Sequence, residues 1–318
     1  MGKASLRIWI ITSGRRGDIV QCRAVAERLS SDITEKVVAP RAPFRMLMPF
    51  GPIDPAERDL IAAPYPDILI ASGRRSVPYV RAIMSASRKS GGSACRAVFM
   101  KYPGCDVADF ALVWTPAHDR RQAAGIITTL TTPHLVSGAR LQHRRAQTHP
   151  MIAALPAPRL GILLGGNTRH VSYDAALIRA FCEPLRANLP FGSFLVTGSR
   201  RTPPEFVEAL RTTLASRPVF MAQEVPDNPY FDILAGSDAL LVTGDSHNLV
   251  SEALAAGVPV HVFRPPGNPA KFTFTLTALE SLGWIEPEAA PLLGGKRKPH
   301  DATDEIVTAL RQAWALPA

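Results

Sequence analysis

Residues 238–263 read DALLVTGDSHNLVSEALAAGVPVHVF. An apolar run, Ala239 to Val242, ends in Thr243-Gly244-Asp245-Ser246. A helical pattern follows and stops at Gly257, and a second apolar run, Val258 to Phe263, begins at once. This is a strand–turn–helix–strand unit with Gly and small polar residues where the first strand hands over to the helix. Unpaired N–H groups and the positive end of the helix dipole meet at that point, so it suits an anion or a nucleotide. Asp245 or Ser246 is expected to cap the helix. His247 and Asn248 are within reach of a bound sugar or phosphate.

The same alternation runs through the chain. Strands are expected at Leu6 to Thr12, Val37 to Ala39, Asp67 to Ala71, Ala97 to Lys101, Phe110 to Trp114 and Ile126 to Thr129. Helices are expected at Ile19 to Leu29, Val77 to Arg88 and Ala139 to Ala154. Leu155-Pro156-Ala157-Pro158 reads as a linker. The pattern then restarts, with strands Leu160 to Leu164, Ser193 to Thr197 and Val219 to Met221. Helices Tyr173 to Asn188 and Pro203 to Leu214 lie between them. After residue 263 come helices Ala270 to Leu282 and Ala302 to Trp314. Alternation of this kind predicts parallel sheets covered by helices on both faces. The expected fold class is therefore α/β, as two Rossmann-like doubly wound domains, 1–155 and 156–318, facing a cleft. The last helix is expected to pack back on the first domain.

Composition narrows the function. The 318 residues are 46% hydrophobic and 20% charged, as in a soluble globular protein. No apolar run approaches the ~20 residues that span a bilayer. The N-terminal apolar run reads as a buried strand rather than a signal peptide, and the expected location is cytoplasmic. The four cysteines are scattered and form no C-x-x-C pair, which indicates neither zinc nor a disulfide framework. The net charge is +9, a surface that attracts polyanions or an anionic membrane face. Much of the positive charge sits in Arg doublets, with no basic tail and no aromatic basic stripe, which argues against nucleic acid as partner.

Three strands end in Gly, Ser and paired Arg: Ser13-Gly14-Arg15-Arg16, Ser72-Gly73-Arg74-Arg75 and Gly198-Ser199-Arg200-Arg201. Ligands of open α/β sheets bind outside the carboxyl ends of the strands, so these repeats point to an anion-lined site. Gly165-Gly166-Asn167-Thr168-Arg169-His170 follows the first strand of the second half. Its glycines allow close backbone approach to a phosphate, and His170 reads either as a base or as a loop histidine. Asp18 reads as a helix N-cap or as a base, and Gln21, one turn on, could bond a substrate hydroxyl. Lys271 reads as a diphosphate ligand or as a solvated lysine. No G-x-G-x-x-G, P-loop, G-x-S-x-G, H-E-x-x-H or Asp-x-Asp pattern occurs, so neither a metal nor a cofactor is indicated.

Ser251-Glu252-Ala253, with Gly257 and Pro259, resembles the donor-binding segment of GT-B glycosyltransferases, where a Glu commonly holds the ribose of a nucleotide sugar. Glu252 is the matching residue. The ordered set of Gly14, Gly17-Asp18, Gln21, Ser72 to Arg75, Gly165-Gly166, Arg169-His170, Thr197 to Pro203, Thr243 to Ser246 and Ser251 to Ala253 resembles the mitochondrial fission ELM1-like family. That resemblance covers roughly residues 6 to 285. It implies a GT-B-like fold and a bacterial member. The implied function is metal-independent glycosyl transfer from a nucleoside-diphosphate sugar. Glu252 would hold the ribose; Gly244, Asp245, Ser246, Asn248 and Arg169 would hold the diphosphate. Asp18 or His170 would be the base. Gly14, Gln21, Arg74, Gly165, Gly166, Gly198, Arg200 and Lys271 complete the expected binding set. The implied acceptor is lipid-linked, at an anionic inner-membrane surface. The alternatives are a non-catalytic scaffold or recruiting factor and an NAD-independent nucleotide-sugar epimerase. An NAD-dependent epimerase lacks its glycine fingerprint and its Tyr-x-x-x-Lys pair here.

Overall fold

The computed structural model describes residues 6–91, 95–226 and 229–315. Its elements in order are β1 (Arg7–Thr12), α1 (Arg16–Glu27), β2 (Asp32–Val37), β3 (Ile68–Ser72), α2 (Val77–Lys89), β4 (Arg96–Met100), β5 (Leu112–Pro116) and β6 (Ile126–Thr129). Then come α3 (Gly138–Ala146), α4 (Pro150–Ala153), β7 (Arg159–Leu164), α5 (Ala175–Cys182), β8 (Ser193–Gly198), α6 (Pro204–Thr213), β9 (Val219–Met221) and α7 (Tyr230–Gly236). The last are β10 (Ala239–Thr243), α8 (His247–Leu254), β11 (Val260–Phe263), α9 (Ala270–Ser281) and α10 (Ala302–Trp314).

Two compact units result. One holds the residues up to Leu135 with those from Ala302, and the other holds Val136–Asp301. The first contains a six-stranded sheet in the order β2-β1-β3-β4-β5-β6, and the second a five-stranded sheet in the order β11-β10-β7-β8-β9. All pairings are parallel. Strand order reverses between β1 and β3 in the first unit and between β7 and β10 in the second. Both units are therefore Rossmann-like and doubly wound.

Several boundaries differ from the expected ones. The division falls at 135/136, not at 155/156. The Pro-rich stretch lies inside the second unit, because α3 and α4 belong to it. Arg145 of α3 donates to the carbonyls of Ala235 (3.1 Å) and Ala256 (3.0 Å), and Arg144 reaches Asp232 of α7 at 3.5 Å. Pro150 splits the long helix expected over Ala139 to Ala154, since proline cannot continue a helix through its missing N–H. β2 is Asp32–Val37 (DITEKV), an edge strand with mostly exposed residues. It pairs on one side only, and so lacks the apolar run that marks the buried strands. α7 went unexpected for a related reason: it is short, and its apolar residues merge with those of β10.

The apolar faces explain the layers. Ile8, Ile10, Val98 and Trp114 form one face of the first sheet, and Cys22 and Val25 of α1 cover it together with Ile306, Val307 and Leu310 of α10. The Trp114 indole N–H donates to Thr129 Oγ1 (2.9 Å). Thr303 anchors the start of α10, accepting from the His134 N–H (3.0 Å) and donating to the His134 carbonyl (3.1 Å). The other face packs Leu69, Phe99 and Val113 on Tyr79, Val80 and Ile83 of α2. α10 thus closes a core that the first 135 residues leave open. Leu310→Ala should destabilise the protein by about 2–5 kcal/mol, read from the urea midpoint at unchanged slope. A loss under about 0.5 kcal/mol would show that α10 is dispensable to that core.

Candidate functional site

Each unit builds a polar edge where its strand order reverses. In the first unit the Gly14 N–H donates to Thr12 Oγ1 (3.2 Å). Gly73 takes φ +90°, and a Cβ built on it would lie 3.5 Å from Ser13 Oγ, so the turns after β1 and β3 touch. A cavity of 340 Å³ opens there, lined by Ser13, Arg15, Asp18, Arg45, Met48, Gly73, Arg74 and Arg75. Arg74 is held in place: its Nη2 donates to the Met48 carbonyl (2.8 Å) and its stem lies against Gly104. Among the described residues, none of Arg15, Arg45, Arg74 and Arg75 has a carboxylate partner.

Asp18 does not cap α1. Arg15 occupies the cap position without a side-chain bond, and Asp18 lies inside the first turn with a buried side chain. Its Oδ1 accepts from Lys101 Nζ at 2.6 Å. Lys101 has φ +74°, a left-handed conformation that a non-glycine residue adopts at a cost of order 1 kcal/mol or more. Nothing in the residue pattern marks Lys101 beyond its place at the end of a strand, yet it fixes Asp18. Gln21 is buried, and its Oε1 has no partner among the described residues.

In the second unit the organising group is Asp245. Its side chain has no exposed surface (0%). Oδ2 accepts from the Gly166 N–H (3.1 Å), Oδ1 accepts from the Tyr173 hydroxyl (2.8 Å), and Arg201 Nη2 lies 3.9 Å from Oδ2. Burial, followed by the neighbouring carboxylate, pushes the Tyr173 phenol well above its ordinary range. Gly165 and Gly166 therefore serve packing rather than approach of a ligand. A Cβ on Gly165 would sit 2.3 Å from the Asp245 carboxylate, and one on Gly166 would sit 2.1 Å from the Arg201 carbonyl oxygen. Gly198 and Gly244 are also crowded, by the Gln223 amide at 2.8 Å and Val262 at 2.9 Å. These four glycines were expected to line a phosphate site and instead close the loops on one another.

Ser246, not Asp245, caps α8, accepting from the Leu249 N–H (3.4 Å). What faces outward is cationic. Arg169, Arg200, Arg201 and Lys271 are exposed, as are Asn167, His170 and Asn248. Asp245 is the only carboxylate in the loops 165–170, 199–203, 244–248 and 264–271, and it is turned inward. His170 Nε2 accepts from Arg169 Nε (2.7 Å), and among the described residues no carboxylate orients its ring. That is a poor arrangement for a general base. Glu252 lies farther along α8, part-buried, and accepts from the Tyr230 hydroxyl. Burial raises its pKa, and the Tyr230 hydrogen bond only partly opposes this. Among the described residues its other oxygen has no hydrogen-bond partner.

No group of His, Cys, Asp or Glu among the described residues has the geometry of a metal site. The cysteines there are free and buried. No helix among the described residues is long and apolar enough to cross a membrane.

The family model described as "Mitochondrial fission ELM1" matches residues 16–314. The mitochondrial fission protein ELM1 of Arabidopsis thaliana is 28% identical over 222 residues, covering 62% of this chain and 51% of that protein. The chain thus spans about half the length of that relative. An uncharacterised protein of Rickettsia prowazekii is 25% identical over 305 residues, covering 82% of this chain and 84% of that protein. Among solved structures, Acinetobacter baumannii MurG aligns over 97% of this chain and 92% of its own, at 15% identity and a TM-score of 0.48.

Two predictions follow from the second edge. Asp245→Ala strands the buried Tyr173 hydroxyl and the Gly166 N–H, and should cost about 2–5 kcal/mol in chemical unfolding, whereas Arg200→Ala should leave stability within about 0.5 kcal/mol. Glu252 has a folded pKa raised above the ordinary carboxylate value of about 4.3. The folded state therefore holds that proton more tightly than the unfolded one, and ionisation destabilises the fold as pH climbs from that value through the raised one. Glu252→Gln removes this burden. Its melting temperature should exceed that of the unsubstituted protein at neutral pH and converge with it below about pH 4. Parallel curves at every pH would exclude Glu252 as the source.

Proposed function

The chain belongs to the mitochondrial fission ELM1 family, and we propose that it is a metal-independent glycosyltransferase of GT-B type that takes a nucleoside-diphosphate sugar on its second unit. The observation that carries this reading is the charge of the β7–β10 edge. Four exposed cations lie in the loops that follow β7, β8 and β11, and the one carboxylate in those loops and the loop after β10, Asp245, is sequestered and reaches Arg201 alone among those cations. A diphosphate supplies the missing anion. Arg169, Arg200, Arg201 and Lys271 would bind it, and the first turn of α8 would add its dipole. Glu252 would accept from a ribose hydroxyl through the oxygen that Tyr230 leaves free.

In transfer, the bond from the anomeric carbon to the diphosphate oxygen breaks and the acceptor oxygen bonds to that carbon. The acceptor proton passes to a base. The arginines stabilise charge growing on the departing diphosphate, where preorganised cations act most strongly. Of the two candidate bases, Asp18 has its carboxylate fixed by Lys101, whereas His170 is exposed and already bonded to Arg169.

One observation favours a second reading, a non-catalytic binding protein. The glycine loop after β7 is filled by Asp245, so the diphosphate would rest outside it rather than within it.

The test is a thermal shift of the full chain with UDP, GDP, ADP, CMP and sugar nucleotides. A ligand at 100 times its Kd adds about 2.7 kcal/mol. A shift with one nucleoside diphosphate, lost in Glu252→Gln although that variant is the more stable protein, supports the donor site. Turnover of the bound sugar nucleotide that disappears in Asp18→Asn supports transfer. Binding without turnover favours the second reading, and no shift with any nucleotide overturns the donor site.

A further inference from the structure

The cavity of the first unit borders an exposed apolar loop. Residues 44–50 (FRMLMPF) leave Met46 79%, Phe50 74% and Leu47 51% exposed. They lie within five residues of one another, whereas Val37, Met151, Phe274, Leu282 and Leu293, the other exposed large hydrophobic side chains among the described residues, are scattered along the chain. The loop is a built structure. Phe44 and Met48 point down into the α2 side of the core. Backbone bonds close it from Arg45 to Arg41 (2.9 Å), Met46 to Pro43 (2.9 Å) and Gly51 to Leu47 (2.8 Å). Arg41 clamps its base to the buried Asp54 through two bonds, 2.9 and 2.8 Å. A rigid frame thus holds three apolar side chains in water, at a site where nothing within the unit covers them.

The same loop supplies two walls of the arginine cavity, Arg45 and Met48. The Met48 carbonyl is also the acceptor that positions Arg74. Exposed apolar side chains and carboxylate-free arginines are therefore one structural feature, not two neighbours. Stable attachment to a bilayer needs two signals, an apolar insertion and a cationic contact with anionic headgroups. Guanidinium forks match phosphate oxygens bidentately, and a cavity lined by four arginines, whose one carboxylate, Asp18, is already paired with Lys101, has the chemistry of a phosphate site.

We propose that this unit docks on a membrane bearing anionic lipids: Met46, Leu47 and Phe50 enter the interfacial layer, and the cavity lined by Arg15, Arg45, Arg74 and Arg75 receives a lipid headgroup phosphate. The inference does not depend on glycosyl transfer. It holds for a scaffold as well as for an enzyme, and it names the face that meets the membrane.

The test is co-sedimentation of the full chain with phosphatidylcholine vesicles, with and without phosphatidylglycerol. Partitioning should be at least about tenfold stronger on the anionic vesicles and should weaken as salt screens the arginines. The triple variant Met46→Ser/Leu47→Ser/Phe50→Ser and the double variant Arg74→Gln/Arg75→Gln should each lose at least about tenfold of it. Both alter exposed side chains, so their melting temperatures should stay near that of the unsubstituted protein, which separates lost docking from lost fold. In Phe50→Trp, emission should move to the blue on anionic vesicles only. Binding that survives the triple serine variant overturns insertion. Binding that survives the arginine variant overturns the phosphate cavity. Stabilisation by inorganic pyrophosphate without vesicle binding assigns the cavity to a soluble phosphate compound, and no response to either probe leaves a protein as the occupant of the face. Both outcomes overturn the proposal.

Discussion

A carboxylate with no exposed surface must find its partners inside the fold, because desolvation without compensation costs several kcal/mol. The second unit is arranged round that requirement at Asp245. Gly165 is a glycine because the carboxylate occupies the place of its Cβ, and Gly166 is one because the Arg201 carbonyl does the same. Tyr173 points inward to donate its hydroxyl, and Thr243 Oγ1 accepts from the Gly165 N–H at 2.7 Å. Ser199 Oγ donates to the Gly165 carbonyl (2.7 Å), and Thr202 Oγ1 donates to the same oxygen. The loops after β7, β8 and β10 are thereby fixed to one another at the point where strand order reverses. The inward carboxylate reaches one of the outward arginines, Arg201, at 3.9 Å, and Arg169 and Arg200 have no carboxylate partner among the described residues.

The first unit reaches a similar arrangement by other means. Asp18 is the buried acid, Lys101 is its partner, and the strained backbone of Lys101 is the cost of delivering the ammonium to it. Arg15, Arg45, Arg74 and Arg75 stand outside, without a carboxylate partner among the described residues. In both sheets, then, acids serve the interior and cations serve the surface at the carboxyl ends of the strands. An anion entering either edge would relieve repulsion among fixed positive charges without displacing an internal ion pair, which favours phosphate-bearing ligands over neutral ones.

The fold was legible in the sequence because buried parallel strands are nearly continuous apolar runs. Ile8 to Ile11 and Leu160 to Leu164 could hardly be read otherwise. The element that was misplaced, β2, is an edge strand whose residues alternate with solvent, and its apolar content is too low to stand out. The inter-unit division was misread because Pro156 and Pro158 look like a linker, while the features that assign α3 to the second unit, Arg145 capping the carbonyls of Ala235 and Ala256, join residues about a hundred positions apart. The polar strand ends were legible in the sequence, but the roles of their residues were not. Glycine at the ends of strands signals that something comes close. Sequence cannot say whether that is a ligand or an aspartate such as Asp245, since both ask for the same missing side chain. Lys101 was invisible for the same reason: its importance lies in a backbone angle and a contact with a residue 83 positions away.

Charge alone also limits what these edges can recognise. Arginines and helix N-termini donate hydrogen bonds, and a sugar or ribose hydroxyl seeks acceptors as well as donors. Of the acidic side chains near the α8 edge, Asp245 is saturated, so Glu252 is the acceptor left to read a hydroxyl. It can do so only through the oxygen that Tyr230 does not occupy. Burial favours its protonated form, in which it donates as well as accepts. In the proposed donor site, selectivity for a nucleoside over a simple diphosphate would therefore rest on Glu252, and affinity on the exposed arginines of the strand-end loops.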